Sequence, residues 1–422
     1  MNFTTPTGMN RRHFVQHLIG SSAFASTALA LGHSLQSQAE TLRRNQKSAI
    51  LIWLGGGPST IDMWDLKPGA NTGGPFRPIA TNGDFQICEH LPMLANHMDK
   101  VSIVRNMSTR EADHTRGSYY MRTGYVPNPN ITHPSYGSVI SHQLSSTRPQ
   151  LEIPPFVAVS GNSEGPGFLG MAWAPFAVNS NGQIRNLDMR LRPDQMTRRV
   201  EALKAMENQF ISQNRGIGAA EHAKVIDKTL RLMSSDQMGA FRVTEEPTEV
   251  QERYGANSNF GRGCLLARRL VEAGVPFVEV GNGGWDNHQN IFPTLENNKL
   301  PELDRALSAL LEDLYQRGRL DDTAVICMGE FGRTPSINGN SGRDHWARGW
   351  SVMVGGAGMK PGIAVGQTNE DGTQVAGTSY TSEDLMATVC RAMGISLETT
   401  FTSNNGRPMK IANSGKVISE LI

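Results

Sequence analysis

Three glycine-rich segments in the last third of the chain concentrate residue types that bind metal ions. They are Gly283-Gly284-Trp285-Asp286-Asn287-His288, Gly329-Glu330-Phe331-Gly332-Arg333-Thr334-Pro335 and Gly342-Arg343-Asp344-His345-Trp346. Carboxylate oxygen combined with imidazole nitrogen suits Zn, Mn or Fe, whereas Ca and Mg favour oxygen alone. A single residue separates Asp286 from His288, so in extended backbone both side chains point the same way and can share an ion. With Glu330, Asp344 and His345 they make the expected ligand set for a divalent metal ion. The alternative is that Asp286 caps a helix beginning near Ile291 and His288 is an ordinary surface histidine.

Such residues need a frame, and the apolar runs supply one. Lys47 to Leu54 is a continuous apolar run of strand length and ends in Gly55-Gly56-Gly57-Pro58-Ser59-Thr60, which predicts a strand buried on both faces. Similar runs occur at Val101 to Arg105, Phe156 to Val159, Pro276 to Val280, Thr323 to Met328 and Trp350 to Val354. Between them lie helical patterns, the clearest from Leu300 to Gly318 with Leu303, Leu307, Leu310, Leu311 and Leu314 on one face. Strands alternating with helices predict an α/β fold, a largely parallel central sheet flanked by helices. In such sheets ligands gather at the carboxyl ends of strands, where Asp286 and Glu330 fall. Residues 186–252 are charged, poor in strand signals and helical by period, which predicts a helical insertion. Met189, Met196, Val200, Leu203 and Met206 are expected to pack inside it.

At 422 residues and 38% hydrophobic content the chain can bury a large core, and a formal net charge of +1 offers no field for nucleic acid. An anionic substrate must therefore be held by local cations, and Arg333, Arg343 and Arg348 flank the proposed site. Cys88, Cys264, Cys327 and Cys390 are widely spaced without a CxxC pair, which disfavours a thiolate zinc site; the apolar runs around Cys264, Cys327 and Cys390 predict buried free thiols, with one or two disulfides in an oxidising compartment the alternative.

The N-terminus has a different composition. Asn10-Arg11-Arg12-His13-Phe14-Val15-Gln16 precedes a mildly apolar stretch from Leu18 to Leu31, and Ser37-Gln38-Ala39 carries small residues at the two positions a signal peptidase reads. This layout predicts a twin-arginine (Tat) signal peptide over residues 1–39, export by the Tat machinery to the periplasm, and no permanent membrane span. Residues 40–422 are then one domain.

The segments from Leu54 to Gly69, Ala267 to Gly274, Gly284 to His288, Gly329 to Pro335 and Gly342 to Trp346 are similar to the DUF1501 family, over nearly the whole remaining chain. A fainter likeness resembles the alkaline phosphatase and sulfatase superfamily. Its members place a metal-binding Asp and His before a helix, then a strand ending in further ligands, then a final histidine. Here Asp286 and His288, the Leu300 to Gly318 helix, Asp321 to Gly332, and His345 recur in that order, and Ser382 to Ile395 resembles the last helix. The resemblance implies an alkaline-phosphatase-like fold. It also lays His114 and Thr115 on the nucleophile region, counted back from Thr123-Gly124, with Thr115 as an alkoxide nucleophile and His114 as ligand or general acid. The plainer alternatives are that Thr115 caps a helix and His114 simply packs.

Departures from that frame are specific. No Cys-x-Pro-x-Arg is present, so formylglycine chemistry is not expected. Glycines follow the first strand where the superfamily has a metal-binding aspartate, with Asp62 and Asp65 the nearest acids, and Phe331 stands where a ligand is common. The glycine turn itself offers backbone N–H groups for an oxyanion. The expected function is metal-dependent hydrolysis of a small phosphate or sulfate ester, with Thr115 or a water attacking and Arg333 or Arg343 steadying the charge. The alternative is a non-catalytic periplasmic binding or assembly protein on the same fold.

Overall fold

In the computed structural model the described residues are 47–184, 193–213, 226, 230–233 and 235–422. The twin-arginine segment, Met189 and part of the expected insertion lie outside them. Eight strands form the central sheet: β1 (Ser48–Leu54), β2 (Val101–Met107), β3 (Phe156–Val159), β4 (Phe176–Val178), β5 (Phe277–Asn282), β6 (Thr323–Met328), β7 (Trp350–Gly355) and β8 (Ala364–Val365). Their spatial order is β8-β2-β7-β6-β1-β5-β3-β4. β1 pairs in parallel with β5 and β6, β3 with β5 and β4, and β8 with β2, while β7 runs antiparallel to both β6 and β2. The expected parallel character therefore holds, with one reversed strand. Two short edge strands, β4 and β8, carry too few apolar residues to stand out in sequence.

Every residue of β1 is buried, because the strand sits mid-sheet and both faces are covered. Ile50, Ile52 and Leu54 join one core with the helices α4 (Asn259–Glu272) and α5 (Leu300–Gln316). Ala49, Leu51 and Trp53 join the other with α1 (His114–Thr123), α2 (Tyr136–Ser145) and α6 (Ser382–Ala392). The alternation follows from the two-residue period of a strand.

Helix ends follow local chemistry. The Asp113 carboxylate accepts the Arg116 N–H at 3.0 Å to start α1, and Gly124 ends it in the left-handed region at φ 75°. Thr381 and Asp384 form a capping box on α6. Near Ile291 a short α-helical turn, Ile291–Thr294, runs through a π-helical turn, Leu295–Lys299, into α5. Its N-cap is Asn290, so Asp286 is free of capping duty. The third helix, α3 (Pro193–Ser212), falls in the expected helical region. Met206 on it is 56% exposed, so this methionine does not pack into a core; its apolar neighbours Phe210 and Ile211 are exposed too. All four cysteines are free and buried.

Candidate metal centre

The carboxyl end of one parallel strand after another empties into the same rim. β1 leads into Gly55-Gly56-Gly57, β2 into the loop before α1, β5 into Asp286 and His288, and β6 into Glu330. A two-stranded ribbon, Gly332–Arg333 against His345–Trp346, then carries Arg333 and His345 across that rim. Close approach of the loops depends on glycine. Gly56 and Gly57 have φ of 115° and 69°, and a Cβ on Gly342 would stand 2.1 Å from the backbone of His288.

Four donor atoms converge there. Asp286 Oδ1 lies 2.9 Å from His288 Nε2, 3.3 Å from His114 Nε2 and 3.4 Å from His345 Nε2. The two ring nitrogens His288 Nε2 and His345 Nε2 are 3.1 Å apart. Donor atoms of His114, Asp286 and His345 all lie within 4.8 Å of one another. Tetrahedral ligands at about 2.0–2.1 Å from an ion stand about 3.3 Å from each other, and the separations of 2.9–3.4 Å around Asp286 Oδ1 are compatible with that spacing.

Each imidazole is oriented from behind. His345 Nδ1 meets the Ala112 carbonyl at 2.7 Å, His288 Nδ1 meets Asp344 Oδ1 at 2.7 Å, and His114 Nδ1 meets Glu330 Oε1 at 2.6 Å. A carbonyl only accepts, so His345 carries its proton on Nδ1 and turns a lone pair inward. Arg333 Nη1 donates to His288 Nε2 at 3.3 Å, and because a guanidinium only donates, that nitrogen too is a lone pair. His114 Nε2 is buried without a hydrogen-bond partner. Lone pairs thus face one another and a carboxylate oxygen, an arrangement that a cation relieves. The residues present fit a divalent ion, with oxygens behind the rings setting the tautomers.

The electrostatics agree for Asp286 and run the other way for His114 in the metal-free protein. Burial raises the Asp286 carboxyl, but the hydrogen bond and charge of Arg333, with His114 and His288, outweigh it and hold the group down at about 2. The hydrogen bond to Glu330 raises His114 above the ordinary histidine value. The hydrogen bond from His288 lowers Asp344.

Several sequence-based expectations change here. Glu330 and Asp344, expected as ligands, bind imidazole Nδ1 atoms instead, and Glu330 Oε1 also accepts Gly56 N–H at 2.9 Å. That leaves Glu330 Oε2 buried without a partner. The Gly56 amide is thereby committed to Glu330 rather than open for an oxyanion.

Neither proposed charge-steadying arginine has a donor to spare. Arg333 gives Nε to Gly57 O (2.7 Å), Nη1 to Arg343 O (3.1 Å) and His288 Nε2, and Nη2 to Gly56 O and Asp286 Oδ1. Arg343 grips Asp62 with Nε and Nη2, both at 2.8 Å, and spends the rest on the carbonyls of Thr334, Pro335 and Thr72. Asp62 is therefore a partner of Arg343, and Asp65 is held by Thr368 and Lys67.

Thr115 is exposed in the first turn of α1, which Asp113 rather than Thr115 caps, and its hydroxyl has no partner among the described residues. Phe331 is buried with its ring 5.1 Å from His114 and 4.7 Å from His345, an apolar wall for both rings. Arg348 is exposed, 5.7 Å from the Trp346 ring. Sequence reasoning missed the Ala112 carbonyl and Asn338. Asn338 Nδ2 donates to His288 O at 3.0 Å and to Asp344 Oδ1 at 3.3 Å. For Asn338 the only sequence signal was the turn-forming run Asn338-Gly339-Asn340-Ser341-Gly342.

Fold and cluster define an α/β protein with a His/Asp candidate metal centre on the carboxyl rim of its sheet. The chain belongs to the DUF1501 family, described as a protein of unknown function, whose model matches residues 46–422. No curated protein matches the sequence. Among solved structures it is similar to the PsFucS1 sulfatase from Pseudoalteromonas sp. (11% identity, TM-score 0.38, covering 85% of this chain and 70% of that one). It is also similar to a protein in the alkaline phosphatase superfamily from Vibrio parahaemolyticus (11% identity, TM-score 0.39, 88% and 69% covered). A third is the phosphonate monoester hydrolase from Silicibacter pomeroyi (11% identity, TM-score 0.34, 88% and 76% covered).

Proposed function

We propose that this protein is an exported, metal-dependent hydrolase of phosphate or sulfate esters that works without formylglycine. One observation carries the proposal: donor atoms of His114, Asp286 and His345 gather within 4.8 Å of one another, with His288 Nε2 beside them 2.9 Å from Asp286 Oδ1, and each ring is held from behind by an oxygen. Zn, Mn or Fe suits that mixed donor set. When bound, such an ion stabilises negative charge developing on the ester oxygens.

The chain's own residues do the rest. Glu330, Asp344 and the Ala112 carbonyl keep protons on the outer ring nitrogens, so the inner ones stay available. Phe331 keeps water from one side of His114 and His345. With Arg333 and Arg343 saturated, Arg348 is the flanking arginine whose donors have no partner among the described residues, and it lies over its aromatic neighbour. Thr115 presents an unpartnered hydroxyl one residue from His114 as candidate nucleophile, with water the other attacking group. Water adds across the bond between the phosphorus or sulfur and the leaving oxygen, releasing an alcohol and a free oxyanion. The Tat signal over residues 1–39 and a domain from residue 40 onward complete the proposal, with export of protein already folded around its ion.

Elemental analysis of protein purified without chelator tests this first, and a transition metal bound to the chain is the expected result. Turnover of p-nitrophenyl phosphate or p-nitrophenyl sulfate that chelator abolishes is the second expected result. Metal-free protein whose stability ignores both chelator and added metal refutes the proposal. Metal without turnover of any ester favours the binding or assembly alternative. Thr115→Ala separates the two attacking groups, since only a threonine nucleophile is lost with it.

A further inference from the structure

Arg333 stands inside the donor cluster with no freedom to leave it. Its side chain is wholly buried. All five guanidinium N–H groups are spent, on Gly57 O, Arg343 O, His288 Nε2, Gly56 O and Asp286 Oδ1. The carbonyls of Gly56 and Gly57 belong to a turn with positive φ, and with Arg343 O they make three of the guanidinium's five acceptors backbone atoms.

We infer that the centre is built for one divalent ion, and that the Arg333 guanidinium is a fixed second cation in the place a second ion would need. The inference rests on the metal-centre reading above and goes beyond it to the number of ions.

Two independent counts support it. The first is of donors. Asp344 Oδ1 is committed to His288, Glu330 Oε1 to His114 and Gly56, and His288 Nε2 accepts from Arg333. His114 Nε2, His345 Nε2 and Asp286 are left for one ion, with His288 at its edge; Glu330 Oε2 alone cannot hold another. The second count is of cations: the Arg333 guanidinium already touches Asp286 and lies 3.3 Å from His288 Nε2. A cation held beside Arg333 would also meet direct repulsion at short range.

The test is stoichiometry on the full chain, stripped with chelator, loaded with excess Zn2+ or Mn2+ alone, desalted and counted by elemental analysis. The wild type is expected to retain one ion per chain. Arg333→Gln keeps an amide in the cradle without the charge and is expected to gain a second ion. Arg333→Lys keeps the charge and is expected to stay at one. Two ions in the wild type overturn the single-ion inference while leaving the metal reading intact, and no ion in the wild type removes both. Arg333→Gln that folds and binds one ion with wild-type affinity also overturns it. If that variant fails to fold, the wild-type count decides.

Discussion

Two arginine–aspartate pairs stand close together at the rim and behave oppositely. Arg343 and Asp62 are both buried, face to face, with two parallel N–H···O bonds of 2.8 Å, and the Ser59 hydroxyl completes the carboxylate at 2.6 Å. Nothing about that pair asks for a further partner. Arg333 and Asp286 are in contact too, yet Asp286 is 46% exposed in its side chain and its Oδ1 is shared with three imidazole nitrogens. The first pair is closed and fastens the Gly55 to Asp65 loop to the Arg343 loop. The second is open, with lone pairs left converging, and that is the difference between an ion pair that holds a loop and one that can hold a ligand.

The sharpest way to break the comparison is to remove one aspartate from each pair. Asp62→Ala leaves a buried guanidinium uncompensated and should lower stability by about 3–5 kcal/mol, read as a shifted urea midpoint. Asp286→Asn should cost less in metal-free protein, because the amide oxygen still accepts from Arg333 and the guanidinium keeps three backbone carbonyls. A large loss from Asp286→Asn and a small one from Asp62→Ala would reverse the assignment.

Metal binding gives the next effect. With free ion at a hundred times its dissociation constant, a ligand that binds only the folded state adds about 2.7 kcal/mol. Thermal melts with and without Zn2+ should therefore separate in the wild type and coincide in His345→Ala. Asp62 variants that still fold should keep the separation.

The histidines provide a smaller, pH-dependent contrast. Burial lowers the pKa of His97, His133 and His142. A group lowered on folding contributes stability that is present above its unfolded value of about 6.5 and lost as pH falls through its folded value. His114, raised by Glu330, works the other way in metal-free protein: its contribution is present below about 6.5 and lost as pH rises through the raised value. Metal-free protein should thus weaken as pH falls from 7 toward 5.5, and more steeply in His114→Gln. Melting temperatures across that range check both signs.

The smallest effect expected is from Phe331→Leu, which keeps an apolar wall and should cost about 1 kcal/mol while loosening His114 and His345. A metal affinity lowered severalfold at nearly unchanged stability would show that the wall positions the rings.

Much of this was legible from residue order. Continuous apolar runs gave the buried strands because a mid-sheet strand has no polar face to display, and the Leu303 to Leu314 stripe gave α5 by its period. Asp286, His288 and His345, singled out by type and spacing, do stand together in the fold, because metal chemistry restricts candidate donors to few residues. β4 and β8 were not legible, since three- and two-residue edge strands are defined by a neighbour's hydrogen bonds. Met206 was misjudged because helical periodicity marks a face without saying what covers it.

The sequence by itself therefore determined the class of fold, the rim where the candidate residues gather and most of the candidate donors. Only the tertiary structure decided which donors face inward. Glu330 and Asp344 read as ligands in one dimension, but folding sets them behind the rings of His114 and His288. Arg333 and Arg343 look alike in sequence, but every donor on each is claimed by carbonyls and carboxylates from distant loops. Residue type fixes what an atom can bind, and the packing of separate strand ends fixes which partner reaches it first.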